Sequence, residues 1–303
     1  MKIVFLGTGG SMPTKNRGLT SMAIRREGEL FLFDCAEGTQ RQMTHTNISP
    51  MNVDVIFITH YHGDHFLGIP GLVQTMSLMD RERDLKIYGP EGTEERISKL
   101  LQTPVFSLKF KIEIQNLSPG DVIRREDYRI KTASMDHSAP GIAYALIEDE
   151  RPGRFYPEKA KELDINPGPK YSQLQDGESI ELDDGTTIDP EQVMGPPRPG
   201  RKIVFSGDTR PSKDIIELAK DADILIHDAT FGSDLEKEAS EGGHSTAAEA
   251  AGVAKRAGVE KLLLTHPSPR YSDTTELKRE AKEIFSNSVF AEDFMEIEVD
   301  LKN

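Results

Sequence analysis

The chain has a single cysteine, Cys35, which excludes an internal disulfide and leaves no thiolate cage for a metal. Any metal bound here has to be held by imidazole and carboxylate. No apolar run approaches the ~18 consecutive residues that a membrane span requires. The opening MKIVFLGTGG also lacks the charged segment and small-residue cleavage site of a signal peptide, so a cytosolic protein is expected. Positive charge is scarce as well. With 37 Lys and Arg against 51 Asp and Glu the formal net charge is −14, which argues against nucleic-acid binding over the whole surface and leaves room only for a local basic patch. The 303 residues, 36% of them hydrophobic, suffice for two average domains or one large α/β domain.

Short apolar runs alternate with helix-like segments. MKIVFLG, SMAIRRE, ELFLFDC, VDVIFIT, LKIYG, FKIEIQ, YRIKTAS and IAYALIE read as strands in the first half, with helices in GTQRQMTHT, FLGIPGLVQTMSLM and EERISKLLQT. After a polar gap come strands at KIVFSG, DILIH, KLLLT and VFAEDFMEIEV. Helices are expected at KDIIELAK, TAAEAAGVAKRAG and TTELKREAKEIFS, the second entered through Ser245 or Thr246 and ended by Gly258. Strands that are apolar along their whole length need cover on both faces. Two packed sheets with helices outside, an αββα sandwich, satisfy that need.

Four of these strands run into a metal-capable or acid/base residue: VDVIFIT into His60, KIVFSG into Asp208, DILI into His227 and Asp228, and KLLLT into His266. Strand ends held by a rigid sheet are where α/β proteins usually build sites. THYHGDH, residues 59–65, concentrates three of the chain's eight histidines and an aspartate within six residues. The spacing differs from HExxH, in which two histidines share one helix face. In extended backbone His60 and His62 point to one side, and a turn into a helix near Phe66 aims Asp64 and His65 elsewhere. Two metal ions fit this better than one. A pair ~3.5–4 Å apart would draw further ligands from distant strand ends, with a carboxylate as bridge.

These residues, with GTGGSMP at 7–13, FDCAEGTQRQ at 33–42, His137 in MDHS, SGDT at 206–209, HDATF at 227–231, HST at 244–246 and THPSPRY at 265–271, resemble the metallo-β-lactamase superfamily over essentially the whole chain. The last three segments are similar to those of its tRNA 3′-processing branch, the ribonuclease Z family. The resemblance implies an αββα metallo-β-lactamase sandwich, residues 1–303, with a flexible tRNA-binding arm inserted at 150–177. It implies His60, His62 and His137 as ligands of one zinc, Asp64, His65 and His266 as ligands of a second, and Asp208 as the bridge. The same donors could also hold manganese or iron. Two such ions would make a nucleophile of a water at neutral pH and stabilise charge on a phosphoryl oxygen. Asp64 would orient and deprotonate that water, while His244 and Asp228 would assist departure of the 3′-oxygen. The family more often has Glu where this chain has Asp228.

Substrate contacts follow from the same resemblance. Residues 151–174 carry five basic and three acidic side chains, a basic stretch on an acidic protein, and look like the arm that grips tRNA, with Gly168 and Pro169 at its tip. PTKNRG at 13–18 nearly matches the family's PxKxRN loop. It keeps Pro13, Lys15 and Arg17 and has Gly18 in place of Asn; FDCAEG likewise has Ala36 where Gly is common. Ser268, Arg270 and Tyr271 are expected along the phosphate path. Cys35, His45 and His227 are assigned structural roles. Precursor tRNA is the expected substrate and a homodimer the expected assembly. Two alternatives share the ligand set: a hydrolase of a small thioester, lactone or phosphodiester, and a metal-stabilised binding module.

Overall fold

The structure, a computed structural model, describes residues 1–302. Its first half contributes β1 (Lys2–Gly7), β2 (Ser21–Arg26), β3 (Glu29–Phe33), β4 (Val55–Phe57), β5 (Leu85–Gly89) and β6 (Ile112–Asn116). Then come β7 (Val122–Arg124), β8 (Tyr128–Ser134) and β9 (Ile142–Glu148), and a short hairpin of β10 (Ile180–Glu181) and β11 (Thr187–Ile188). The chain continues with β12 (Lys202–Phe205), β13 (Ile224–Asp228), β14 (Lys261–Thr265), β15 (Ser288–Phe290) and β16 (Glu296–Glu298). Apart from the hairpin these form two seven-stranded sheets among the described residues, in the orders β16-β1-β2-β3-β4-β5-β6 and β15-β14-β13-β12-β9-β8-β7.

The expected αββα sandwich is present, and the apolar strands show why. On β1, Ile3 and Phe5 face the opposite sheet while Val4 and Leu6 face helices; on β3, Phe31 and Phe33 point inward and Leu30 and Leu32 outward. Both faces are buried, so alternation with polar residues is absent. An aromatic layer fills the space between the sheets, where Phe33 packs against Phe57, Tyr144 and Phe205 with ring centroids 5.0–6.0 Å apart. Helices Ile69–Leu78 and Thr93–Leu101 cover the first sheet, and Lys213–Ala219, Ala247–Ala257 and Thr275–Ile284 the second. Thr246 caps Ala247–Ala257 in a reciprocal pair with Glu249, and Gly258 ends it with φ 69°.

Two expected elements are divided. FLGIPGLVQTMSLM breaks at Gly68 into a single turn, Gly63–Phe66, and the helix Ile69–Leu78. Gly68 N–H donates to Cys35 O at 2.9 Å, and a Cβ there would lie 2.0 Å from Ala36 O, so the backbone is pinned against a neighbouring loop. VFAEDFMEIEV is not one strand. Its first part is β15, beside β14 in the second sheet, and its last part is β16, beside β1 in the first. The crossing is a turn in which Met295 N–H donates to Glu292 O at 3.1 Å and Phe294 has φ 67°.

Residues 150–177 form the first half of a folded insertion that runs on to Arg198. Backbone bridges join Arg151 to Arg198 and Phe155 to Met194 at its neck. Helices Pro157–Glu162 and Pro169–Gln175 and the β10–β11 hairpin bury Ala160, Ile165, Leu174, Ile180, Ile188 and Val193 in a core of their own. Among the described residues no helix is long and apolar enough to cross a membrane.

Candidate metal centre

The strand ends deliver their polar residues to one edge of the sandwich. His60 follows β4, His137 follows β8, Asp208 follows β12 and His266 follows β14, while Asp228 is the last residue of β13. His62 is extended (φ −72°, ψ 142°) and caps the single turn Gly63–Phe66, which carries Asp64 and His65, the His65 ring lying 4.1 Å from that of His60. His266 itself has φ 61°, an uncommon conformation for a side chain of its size. It packs so tightly on Gly10 that a Cβ there would lie 2.4 Å from the imidazole.

The side chains converge on Asp208. Its Oδ2 lies 3.1 Å from His266 Nε2, 3.2 Å from His65 Nε2, 3.8 Å from His244 Nδ1 and 3.9 Å from His60 Nε2. His60 Nε2 and His137 Nε2 each lie 3.1 Å from His62 Nδ1. Asp64 Oδ2 lies 3.3 Å from His266 Nε2 and 3.7 Å from His65 Nε2. Two donor sets result, His60, His62 and His137, and Asp64, His65 and His266, each with its ligand atoms within 4.8 Å of one another.

These residues fit a metal ion. Nitrogens 2.0–2.1 Å from a tetrahedral zinc are ~3.3 Å apart, close to the separations found. Four of the imidazoles have their far nitrogen engaged: His60 Nδ1 with Thr59 Oγ1 (3.0 Å), His65 Nδ1 with Asp34 Oδ2 (2.8 Å), His137 Nδ1 with Gly243 O (2.7 Å) and His266 Nδ1 with Thr230 Oγ1 (3.0 Å). Each Nε2 is thereby turned to the centre. His65 Nε2 is buried and is left without a hydrogen-bond partner, with Asp208 Oδ2 3.2 Å away. An unpaired interior nitrogen costs about 1–3 kcal/mol, and a metal ion accounts for it.

Charge is distributed to match. Burial opposes ionisation of Asp64, but His266 and then His65 prevail and hold its carboxyl well below the usual range. Burial likewise opposes protonation of His244, yet Asp228 and then Asp208 raise its pKa. His244 Nδ1 lies 3.5 Å from Asp228 Oδ2, a charge pair rather than a hydrogen bond. Asp228 is buried, accepts from Ser245 N at 2.9 Å and Thr209 N at 3.2 Å, and is held at about 2 against the opposing effect of burial by His227 and His244. Arg210 fixes the loop from the other side, donating to His244 O at 2.8 Å and pairing with Glu249.

The structure thus brings together His60, His62, Asp64, His65, His137, Asp208, Asp228, His244 and His266. It adds residues given no role from sequence. Asp34 accepts from Thr59 N (2.8 Å) and Thr59 Oγ1 as well as meeting His65, and Ser11 N–H donates to Asp64 Oδ2 at 2.6 Å. Asp34 follows β3 directly, so the strand-end pattern that marks His60 and Asp208 marks it too. Arg270 is exposed at the rim, its guanidinium over the Phe231 ring (5.1 Å) and its Nε 3.3 Å from Ser268 Oγ. Lys15 is exposed. Arg17 is turned inward, donating to Thr8 Oγ1 at 2.5 Å and Ala291 O at 2.8 Å, and braces the loop instead of facing solvent. Gly168 and Pro169 lie in the insertion, at the start of its second helix. Ala36 is not among the residues with positive φ, so the methyl there is free of backbone strain.

Comparison with known proteins gives a consistent picture. A family model described as anti-Pycsar protein Apyc1 matches residues 1–152, and one described as a β-lactamase superfamily domain matches residues 168–267. Ribonuclease Z of Methanosarcina acetivorans is 51% identical over 99% of this chain and 98% of its own length. Ribonuclease Z of Methanothermobacter thermautotrophicus is 47% identical over 99% and 97%. Human tRNase Z, short form, superposes with a TM-score of 0.74 at 29% identity, covering 99% of this chain and 100% of its own. A metallo-β-lactamase-fold protein of Bacillus subtilis shares the fold at 20% identity, with a TM-score of 0.71 and 98% of each chain covered.

Proposed function

The chain belongs to the ribonuclease Z family of the metallo-β-lactamase superfamily and is a tRNA 3′-processing endoribonuclease, and from that premise we propose how its residues divide the work. The observation that carries the reading is the convergence of two donor sets on Asp208 Oδ2. His60, His62 and His137 would hold one zinc ion and Asp64, His65 and His266 a second, with Asp208 between them. When bound, such a pair supplies an acidified water and positive charge for the phosphoryl oxygens.

Asp64 orients the attacking water and accepts its proton. Its depressed pKa makes it a weak base, so orientation by a carboxylate fixed on Ser11 N–H is the larger part of its task. As the water oxygen bonds to phosphorus, the bond from phosphorus to the 3′-oxygen of the mature tRNA breaks. His244 gives that oxygen its proton, and Asp228 keeps the imidazole charged and aimed. The products are a tRNA with a 3′-hydroxyl and a trailer with a 5′-phosphate.

Lys15, Ser268 and Arg270 are the side chains we assign to the RNA path, and the insertion, with Gly168 and Pro169, to the tRNA body. Family resemblance supports a homodimer in which one subunit's insertion holds the tRNA that its partner cuts, working in the cytoplasm where precursor tRNA is made. The test is incubation with a 3′-extended tRNA, a small thioester and bis(p-nitrophenyl) phosphate, before and after chelation, with metal content and molecular mass measured. Cleavage of the tRNA to a 3′-hydroxyl end, lost with the metal and restored by zinc, supports the reading. Turnover confined to the thioester overturns it.

A further inference from the structure

His227 is wholly buried and belongs to neither donor set of the metal centre. It follows Leu225 by two residues on β13 and pairs with Leu264 of β14, so its ring enters the apolar layer beneath the helices, where both leucines pack. An apolar side chain would suit that layer better. The imidazole leaves its Nε2 there with no hydrogen-bond partner, a desolvation cost that packing does not offset.

The other nitrogen is engaged, and both atoms it meets belong to the next residue. Nδ1 hydrogen-bonds to Asp228 O at 2.9 Å and lies 3.2 Å from Asp228 Oδ1. A carbonyl and a carboxylate can only accept, so Nδ1 carries a proton. The two carboxylate oxygens of Asp228 are thereby told apart. Oδ1 faces His227 Nδ1–H and accepts from Thr209 N at 3.2 Å, whereas Oδ2 accepts from Ser245 N at 2.9 Å and lies 3.5 Å from His244 Nδ1. Burial opposes ionisation of Asp228, and His227 is the foremost side chain acting against it, ahead of His244. Two imidazoles thus flank one carboxylate, His227 from inside the fold and the half-buried His244 from the metal centre.

We propose that His227 is a positioning residue for the leaving-group proton: by holding Asp228 at its carbonyl and at Oδ1 it keeps Oδ2 turned to His244, and so keeps that imidazole aimed at the departing 3′-oxygen. His227 itself touches neither substrate nor metal ligands and acts only through Asp228. The inference rests on the assignment of His244 as proton donor made above, and it replaces the purely structural role that the sequence suggests for His227.

The test uses precursor tRNAs in which the 3′-oxygen at the cut is either kept or replaced by sulfur. Water still bonds to phosphorus, and the bond from phosphorus to sulfur breaks in place of the one to oxygen. A thiol has a pKa of about 8.5, far below that of an alcohol, so the thiolate departs without a proton and a defect in proton donation vanishes on the sulfur substrate. In single-turnover measurements His227→Leu should lose about 10- to 100-fold in rate on the oxygen substrate and less than about threefold on the sulfur one, with tRNA affinity and metal content unchanged. His227→Asn, whose amide nitrogen stands as far along the side chain as Nδ1, should recover most of that loss. If His227→Leu melts early or loses metal, His227→Gln decides by the same comparison, because its amide reaches past the Nδ1 position. Equal losses on both substrates, an Asn variant no better than Leu or Gln, or an unimpaired His227→Leu each overturn the inference. His244→Ala is measured alongside: a loss confined to the oxygen substrate upholds the parent assignment, and a loss equal on both removes it.

Discussion

His65 Nδ1 lies 2.8 Å from Asp34 Oδ2, both side chains wholly buried, and the same carboxylate receives Thr59 N–H and Oγ1–H. Thr59 Oγ1 is in turn 3.0 Å from His60 Nδ1. A single acid outside both donor sets thus aims one histidine of each.

Replacing Asp34 should therefore weaken both sites together. Asp34→Ala is expected to lower metal affinity by about 10- to 100-fold, the usual consequence of removing the partner of a ligating histidine. Titration with zinc and a competing chelator measures it. Unchanged affinity at both sites would show that packing alone holds His65.

In the proposed mechanism Asp64→Ala removes a metal donor and the group that orients the attacking water. Cleavage of a 3′-extended tRNA is expected to be abolished while circular dichroism stays native, because Asp64 lies at the rim of the sandwich rather than in its core. Activity within tenfold of wild type would contradict the assignment.

His244→Ala tests the proton donor. A group that acts on the leaving oxygen works in the transition state, so kcat should fall far more than tRNA binding weakens. Asp228→Asn should produce the same pattern in milder form, since it removes the charge behind His244 at 3.5 Å and keeps the shape. A higher KM with kcat unchanged would instead make His244 part of the binding surface.

The centre was legible because its chemistry follows chain-local signals: apolar strands ending in His or Asp, and one dense cluster. Asp34 carries the same strand-end signal, but its role depends on Thr59 and His65, which it meets only after β3 and β4 pair. The division of residues 289–299 was illegible for a different reason. Its apolar pattern fits a strand throughout, and the break depends on Asp293 finding Thr8, Gly18 and Gln42, more than 250 residues away. Arg17 shows the converse, a cation in a binding-type motif whose head the fold consumes. The insertion hid its own core because its apolar residues are sparse and spread over two short helices and a two-residue hairpin.

A stability prediction rests on the bridge between sheets. Glu148 accepts from Arg201 Nε and Nη2, both at 2.7 Å, and from Arg26 Nε at 2.8 Å, Arg26 coming from the first sheet and Glu148 from the second. Burial opposes its charge, but Arg201 and then Arg26 hold its pKa at about 2, below the ordinary 4.5. A depressed carboxylate contributes stability that is complete above its unfolded pKa and is lost as pH falls toward its folded one. Glu148→Ala should cost about 3 kcal/mol, chiefly by leaving the buried Arg201 guanidinium without a carboxylate, whereas Arg26 keeps Asp127. In thermal melts the gap between wild type and variant should be constant above pH ~5 and shrink toward pH 2. A gap independent of pH would mean that lost packing, not charge, is responsible.

The insertion separates a tRNA enzyme from a generic phosphodiesterase, and its folded boundaries decide how to remove it. Cutting at 174 would leave half of a core exposed, whereas the Arg151–Arg198 bridge marks a neck that a short Gly/Ser linker replacing 152–197 can close. The unit is not basic as a whole: residues 151–198 hold six Arg and Lys against ten Asp and Glu, a net charge of −4. Arg151, Lys170 and Arg198 are moreover engaged with backbone carbonyls. That leaves Arg154, Lys159 and Lys161 to meet phosphates, so deletion should reduce the salt dependence of tRNA binding by only about two to three in log–log slope. If the insertion holds the tRNA body, its contacts supply binding rather than chemistry. The deletion should lower kcat/KM for precursor tRNA by at least ~100-fold, equivalent to about 2.7 kcal/mol, while bis(p-nitrophenyl) phosphate is still hydrolysed at a comparable rate. Equal losses on both substrates would mean that the sandwich had been damaged, and undiminished tRNA cleavage would mean that the insertion does not hold the substrate.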